Sequence, residues 1–285
     1  MSKNPTGKVA LVTGASSGTG YTTALHLKAL GYNTYAAARR LDRMEPLKSK
    51  GIHVVPLDLT DEESIKQAFA SITAETGGGI DVLVNNAGYG LFGSVEEVPL
   101  SEARRQLEVN LFGLAALTQL VIPYMRKKRS GTIVNISSIG GVVASPYGGW
   151  HNASKFALEA LSSSLRQELS PFGVDVVIVR PGGVNSEWRT PAGSSMQKYS
   201  IDGPYQKAVR SAYGTFMSPE FEKRLADPQD VADVIGKAVT AAKPKAIYNG
   251  TALAGKILLI HKLLSTENLR DAFTRKFMSM PKTMP

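Results

Sequence analysis

The chain has 285 residues, 43% hydrophobic and 20% charged, enough apolar material for a full core and unlike the composition of a disordered segment. It contains no cysteine, which excludes disulfides, thiolate metal sites and a cysteine nucleophile. Its 33 Lys and Arg against 24 Asp and Glu give a net charge of +9, but the basic residues fall in short groups without an aromatic-interleaved stripe, so nucleic-acid binding is not expected.

The opening MSKNPTGKVALVTG holds no apolar run of signal-sequence length, and a cytoplasmic protein is the expectation. Short Val- and Ile-rich runs then alternate with longer helical patterns to about residue 185: KVALVTG, NTYAAARR, IHVVPLD, IDVLVNNAG, GTIVNISS and VDVVIVRPG. This is the pattern of repeated βαβ units on a parallel sheet, whose strands read as continuous apolar runs because both faces are covered. A seventh run, PKAIYNG near residue 245, is expected to close the sheet.

Two of the intervening helices are well marked. One starts near Leu100 and Ser101, with Ser101 as N-cap, and ends in the basic group Arg126 to Arg129, which suits a helix C-terminus. The other carries Ala153, Ala157, Leu158, Leu161 and Leu165, a spacing expected to put an apolar face against the sheet, and ends before Pro171.

Between residues 187 and 227 the alternation stops, and Trp188, Met196, Tyr199, Tyr205, Tyr213, Phe216, Met217 and Phe221 appear among Gly, Ser and Pro. Such an insertion reads either as an apolar lid over a substrate site or as a helical pair packing its own aromatics. In the extension from about 250 to 285, Lys256, His261 and Lys262 interrupt the apolar run, which is too short and too charged to span a bilayer. Leu269, Phe273 and Phe277 recur at i+4 as in an amphipathic helix. Packing on the domain or on a second subunit is expected there, with contact to a membrane surface as the less favoured alternative.

The first strand runs into Thr13-Gly14-Ala15-Ser16-Ser17-Gly18-Thr19-Gly20, ahead of a helical pattern from Tyr21. Glycines permit close approach of a phosphate, and the free N–H groups and dipole of a helix N-terminus attract its charge. In chain order there follow Asp58, Asn85-Asn86-Ala87-Gly88, Asn110, Ser137-Ser138, Lys155 and Pro181-Gly182. From about Gly7 to Ser186 this ordered set resembles the short-chain dehydrogenase/reductase family.

The resemblance implies one Rossmann-type, doubly wound α/β domain over 1–285, with a parallel sheet of about seven strands and a nicotinamide dinucleotide at the C-terminal strand ends. It places Gly14, Ser16, Ser17, Gly18 and Thr19 at the phosphates, Asp58 and Leu59 at the adenine, Asn86, Ala87 and Gly88 at the adenosine ribose, and Pro181, Gly182 and Val184 at the nicotinamide. Thr19 stands where the family usually has Ile or Leu. The second strand ends Ala38-Arg39-Arg40 with no carboxylate; an acidic residue there would bond a ribose 2′-OH, whereas a guanidinium suits a 2′-phosphate, so NADP(H) with Arg39 is the expected pairing.

For catalysis the resemblance implies a Ser that polarises the carbonyl, a Tyr that supplies the proton, a Lys on the nicotinamide ribose and an Asn supporting a water relay. Ser138, Lys155 and Asn110 match three of these roles. At the tyrosine of the family's Y-x-x-x-K stands His151, four residues before Lys155 in an intact frame. The neighbouring ammonium should lower the imidazole pKa and leave it neutral.

Three readings of His151 stay open: an impaired reductase that keeps cofactor binding, a working histidine acid favoured by low pH, or a dinucleotide-binding protein that has left catalysis. Tyr147 precedes the helix and is expected to line the substrate or pack under the lid rather than replace the acid. The other histidines show no metal-ligand spacing, and no metal is expected. The substrate is expected to be an apolar or amphipathic ketone or alcohol, and the family resemblance implies a homodimer or homotetramer.

Overall fold

The computed structural model describes residues 3–277; the last part of the extension expected from 250 to 285 lies outside the described residues. Seven strands, β1 (Val9–Thr13), β2 (Asn33–Ala38), β3 (His53–Pro56), β4 (Val82–Asn85), β5 (Gly131–Ile136), β6 (Val174–Arg180) and β7 (Ile247–Asn249), form one sheet. All pairings are parallel, in the order β3-β2-β1-β4-β5-β6-β7. Every residue of β1, β4 and β5 is buried, whereas the edge strands β3 and β7 are partly exposed. The uninterrupted apolar runs follow from this: a central strand covered on both faces has no solvent side to mark with polar residues.

The helices are α1 (Gly18–Ala29), α2 (Glu45–Lys48), α3 (Glu62–Thr76), α4 (Leu100–Leu107), α5 (Gly113–Lys128), α6 (Gly149–Leu169), α7 (Arg189–Ser200), α8 (Gln206–Phe216), α9 (Pro219–Glu222), α10 (Pro228–Thr240), α11 (Ala252–Leu263) and α12 (Glu267–Phe277). One core layer joins Ala24 and Leu27 of α1 and Ile235 and Val239 of α10 to Val12, Val84 and Val134. The opposite layer joins Ile65 and Ile72 of α3, Leu117, Val121 and Met125 of α5 and Leu169 of α6 to Leu11, Leu83 and Ile133. Helices thus cover both faces, and the strand order reverses between β1 and β4, where open α/β sheets bind ligands.

Local caps fix where several helices begin. Asp61 accepts from the Glu63 amide at 2.9 Å ahead of α3, Thr251 accepts from the Ala254 amide at 3.1 Å ahead of α11, and Asp227 and Asp230 form a reciprocal capping box with Pro228 in the first turn of α10. Ser101 is not the cap expected from the sequence. Pro99 holds that place, its extended backbone leads into Leu100, and Ser101 is already helical. The long helix toward Arg129 is also broken by a π-helical turn, Glu108–Phe112, between α4 and α5.

Together the stretch 100–128 is apolar and long enough, by length and composition, to cross a membrane. Here it lays Leu117, Val121 and Met125 on the sheet. The 187–227 segment is a helical pair, α7 and α8, followed by α9. Its Met196, Ala208, Val209 and Ala212 form a third cluster with Phe92 and Tyr147.

Candidate active site

A cleft of about 820 Å³ opens at the C-terminal ends of β1, β2, β4, β5 and β6. Its wall contains Gly14, Ser16, Ser17, Gly18, Thr19, Arg39, Asp58, Leu59, Asn86, Ala87, Gly88, Pro181, Gly182 and Val184, together with Ser138, His151 and Lys155. Of the residues singled out from the sequence, Asn110 stands apart, fully buried behind Gly88.

The glycine-rich loop is shaped by contacts a side chain would forbid. Gly14 has φ +67°, and a Cβ there would sit 2.7 Å from Ala87 Cα; Gly18 has φ +52° and abuts Ser186. The chain therefore bends tightly from β1 into α1, and Ser17 takes the N-cap position in extended backbone. Its hydroxyl is engaged by Arg40 rather than by the helix, and the first turn holds no acidic residue. Asn86 closes the loop from the β4 side, donating from Nδ2 to the Thr13 carbonyl at 2.9 Å.

Asp58 accepts from the Thr60 amide at 2.9 Å and hydroxyl at 2.8 Å. Desolvation pushes its pKa up, but these bonds and the charges of Arg39 and Arg105 outweigh it and hold the carboxyl below the usual range. A cradle of tight glycines, uncapped helix amides and two exposed guanidiniums is chemically suited to a dinucleotide bearing phosphate.

The sequence pointed to Arg39 at the end of β2, and the structure adds its neighbour. Arg40 donates from Nη2 to Ser16 Oγ at 3.0 Å and to Ser17 Oγ at 3.3 Å, and from Nη1 to Glu187 at 3.3 Å. Arg43 donates to the same carboxylate at 2.5 and 2.7 Å. Arg43 first, then Arg40, hold the Glu187 carboxyl below its ordinary pKa. Glu187 escaped the sequence reading because its partners lie more than 140 residues away.

His151 and Lys155 occupy the first two turns of α6, and both are buried on its inner face, as their i, i+4 spacing requires. Lys155 Nζ donates to the Ile136 carbonyl at the end of β5 at 2.8 Å. Burial lowers its pKa to about 8, with Glu159 acting the other way. His151 is 4% exposed, stacked on Phe92 at 5.7 Å and edge-on to Trp188 at 5.3 Å. Its Nδ1 has no hydrogen-bond partner among the described residues. Burial first, then the Lys155 charge, push its pKa down to about 3, against a backbone hydrogen bond with Tyr89.

Ser138 caps a short 3₁₀ turn, its Oγ accepting from the Gly140 amide at 3.0 Å. Gly140 in turn borders the imidazole, since a Cβ there would sit 3.4 Å from His151 Nε2. Asn110 belongs to the π-helical turn. Its Nδ2 donates to the Tyr89 carbonyl at 3.1 Å and to Ser154 Oγ at 3.0 Å, and its Oδ1 accepts from the Tyr89 amide at 3.2 Å. A Cβ on Gly88 would lie 3.1 Å from Asn110 Oδ1 and 3.6 Å from Lys155 Nζ, so the asparagine and the lysine meet behind the loop after β4.

The far wall of the cleft is apolar: Trp188, Pro191, Phe216, Phe221 and Leu225. Tyr147 packs beneath the helical pair, 6.3 Å from the Tyr205 ring, with φ +61°.

Residues 8–197 match the short chain dehydrogenase family profile. The chain is 38% identical over 240 residues to a probable short-chain type dehydrogenase/reductase, VdlC, of Helicobacter pylori, covering 84% of this chain and 87% of that protein. It is 33% identical over 251 residues to an NADPH-dependent 3-dehydrocapnine reductase of Ornithobacterium rhinotracheale, covering 85% and 87%. Among solved structures it resembles a short-chain dehydrogenase from Streptomyces avermitilis (TM-score 0.79, 31% identity, 95% and 97% of the two chains) and a metagenomic short-chain oxidoreductase in complex with NADP (TM-score 0.69, 27% identity, 87% and 100%). With its parallel seven-stranded sheet and the glycine cradle facing Lys155, the chain belongs to the short-chain dehydrogenase/reductase family of oxidoreductases.

Proposed function

We propose that the protein is an NADP(H)-dependent oxidoreductase for a ketone or alcohol borne on an apolar or amphipathic skeleton, with proton transfer impaired by His151. The observation that carries this reading is one cleft whose lining joins Arg39, Arg40 and the glycine loop with the apolar Trp188, Phe216, Phe221 and Leu225. The NADP complex of one structural relative and the NADPH dependence in the name of another support the cofactor. In this reading 1–285 is a single domain, residues 187–227 form its substrate lid and 250–285 its C-terminal extension, helical over Ala252–Leu263 and Glu267–Phe277. The substrate site takes no nucleic acid, and the protein works in the cytoplasm.

Bound nicotinamide supplies the hydride. The loop amides and the arginines bind the phosphates, Asp58 and Leu59 flank the adenine, Lys155 holds the nicotinamide ribose, and Ser138 offers its hydroxyl to the substrate oxygen. Asn110 fixes the Tyr89 backbone and Ser154 and so positions the loop beside Lys155. Protonation of the substrate oxygen falls to His151. With its pKa near 3 the ring is neutral at pH 7, and a neutral imidazole N–H is a poor acid, so a contribution of about 10² to 10⁴ in rate is lost.

This buried, neutral ring also favours a second reading, an NADP(H)-binding protein that no longer turns over. Phe112, Phe156 and Leu161, the last expected against the sheet, are exposed on elements that pack together, the π-helical turn and α6, and support a homodimer or homotetramer.

The test is NADPH oxidation across long-chain and small hydrophilic ketones by this chain and by His151→Tyr, beside NADPH and NADH titrations. Turnover confined to the tyrosine form and to apolar ketones, with NADPH bound more tightly, is expected. Equal affinity for the two cofactors would refute the NADP(H) assignment. Silence from both forms while NADPH binds would favour the second reading.

A further inference from the structure

The residue that opens the lid is tied to the cofactor end of the cleft. Glu187 directly precedes Trp188, the N-cap of α7, and its carboxylate accepts from Arg43 at 2.5 and 2.7 Å and from Arg40 at 3.3 Å. Arg40 simultaneously holds Ser16 and Ser17 of the glycine loop. Three segments distant in sequence are therefore joined through Arg40, and they are joined where a guanidinium pair would receive a 2′-phosphate. The chain's own anion and the expected ligand anion call on the same donors.

The energetics favour exchange. The side chains of Arg40, Arg43 and Glu187 are 47%, 43% and 54% exposed, and exposed ion pairs hold weakly. A phosphate monoester brings more charge than a carboxylate and three acceptor oxygens, which suits a planar guanidinium fork better. Next in the chain, Trp188 stands edge-on to both His151, at 5.3 Å, and Phe92, at 5.8 Å. A shift of Glu187 is thus transmitted within one residue to the wall of the reaction site.

We propose that Glu187 is an internal competitor of the cofactor's 2′-phosphate for Arg40 and Arg43, and that its displacement reports phosphate binding to Trp188 and the lid. This deepens the NADP(H) reading and rests on it. Glu187 thereby sets cofactor affinity and couples the adenosine end of the cleft to the substrate end.

The test uses 2′,5′-ADP and 5′-AMP, which differ by the 2′-phosphate and carry no nicotinamide, on the full chain and on Glu187→Gln. Calorimetry should show 2′,5′-ADP binding about three- to tenfold more tightly to the glutamine variant, in line with loss of an exposed ion pair, with 5′-AMP changed by less than about twofold. In a Trp150→Phe background Trp188 is the remaining tryptophan of two. Its emission should respond to 2′,5′-ADP but not to 5′-AMP, and the response should shrink in Glu187→Gln. Equal affinities of variant and parent for 2′,5′-ADP, or equal tightening of both nucleotides, would overturn the competition, and an unmoved Trp188 signal would overturn the coupling. A parent chain that binds both nucleotides equally would instead show that the NADP(H) reading itself had failed.

Discussion

Acidification should destabilise this protein through His151, and replacing that one residue should remove the effect. An unperturbed histidine titrates near 6.5, whereas the buried ring titrates at about 3. Between those values the unfolded chain binds a proton that the folded chain excludes, so the contribution is fully present above about pH 6.5 and is lost as the pH falls toward 3. At 1.36 kcal/mol per pH unit, the loss between pH 7.5 and pH 5 comes to about 2 kcal/mol.

His151→Tyr keeps an aromatic ring against Phe92 and Trp188 and carries nothing that titrates in this range. Every other group is common to both proteins and cancels in the comparison. Urea midpoints at the two pH values, converted with a common m-value, should show the parent losing about 2 kcal/mol more than the variant. Parallel pH dependences would refute the claim that burial keeps this imidazole neutral, and with it the argument for impaired acid catalysis.

Three further outcomes follow from the same geometry. Asn110→Ala should cost about 1–3 kcal/mol in urea denaturation, because it takes the acceptor from the Tyr89 amide in a buried site, while the Tyr89 carbonyl keeps Gln106 and the Ser154 hydroxyl keeps the His151 carbonyl; a loss below about 0.5 kcal/mol would mean that the amide finds another acceptor. Gly14→Ala, forced to a positive φ and against Ala87, should weaken NADPH binding at least about tenfold, an effect of about 1.4 kcal/mol, by fluorescence titration. Lys155→Met should weaken NADPH binding while leaving the 2′,5′-ADP affinity unchanged if Lys155 holds the nicotinamide ribose as proposed; calorimetry with both ligands checks this.

The fold was legible because a doubly covered sheet writes itself into consecutive residues. Val9 to Thr13 and Gly131 to Ile136 are buried throughout, so strand, length and parallel class could all be read from the apolar runs. The pairing of His151 with Lys155 was legible for a similar reason, a helical repeat of local range. The boundary at Pro99 was misread because Ser101 has the chemistry of a cap, while Pro99 already commits the chain to extended backbone two residues earlier. The Arg40–Glu187–Arg43 cluster and the depth of His151 depend on segments brought together by the sheet, and no local pattern encodes them. The 187–227 segment fell between two readings because the same aromatics do both jobs: Phe216 closes the helical pair and also lines the cleft.

The π-helical turn at Glu108–Phe112 sets regularity against use. The turn holds one residue more than an α-helix would place there, and removing Val109 would return Glu108–Phe112 to α-helical pitch between α4 and α5. It would also rotate one half of that helix by about 100° against the other, carrying the amide of Asn110 away from Tyr89 and Ser154. Regular pitch would thus come at the cost of three buried hydrogen bonds and of the seat of Leu117, Val121 and Met125 on the sheet, so the irregular turn is the form in which this helix can both pack and brace the loop after β4.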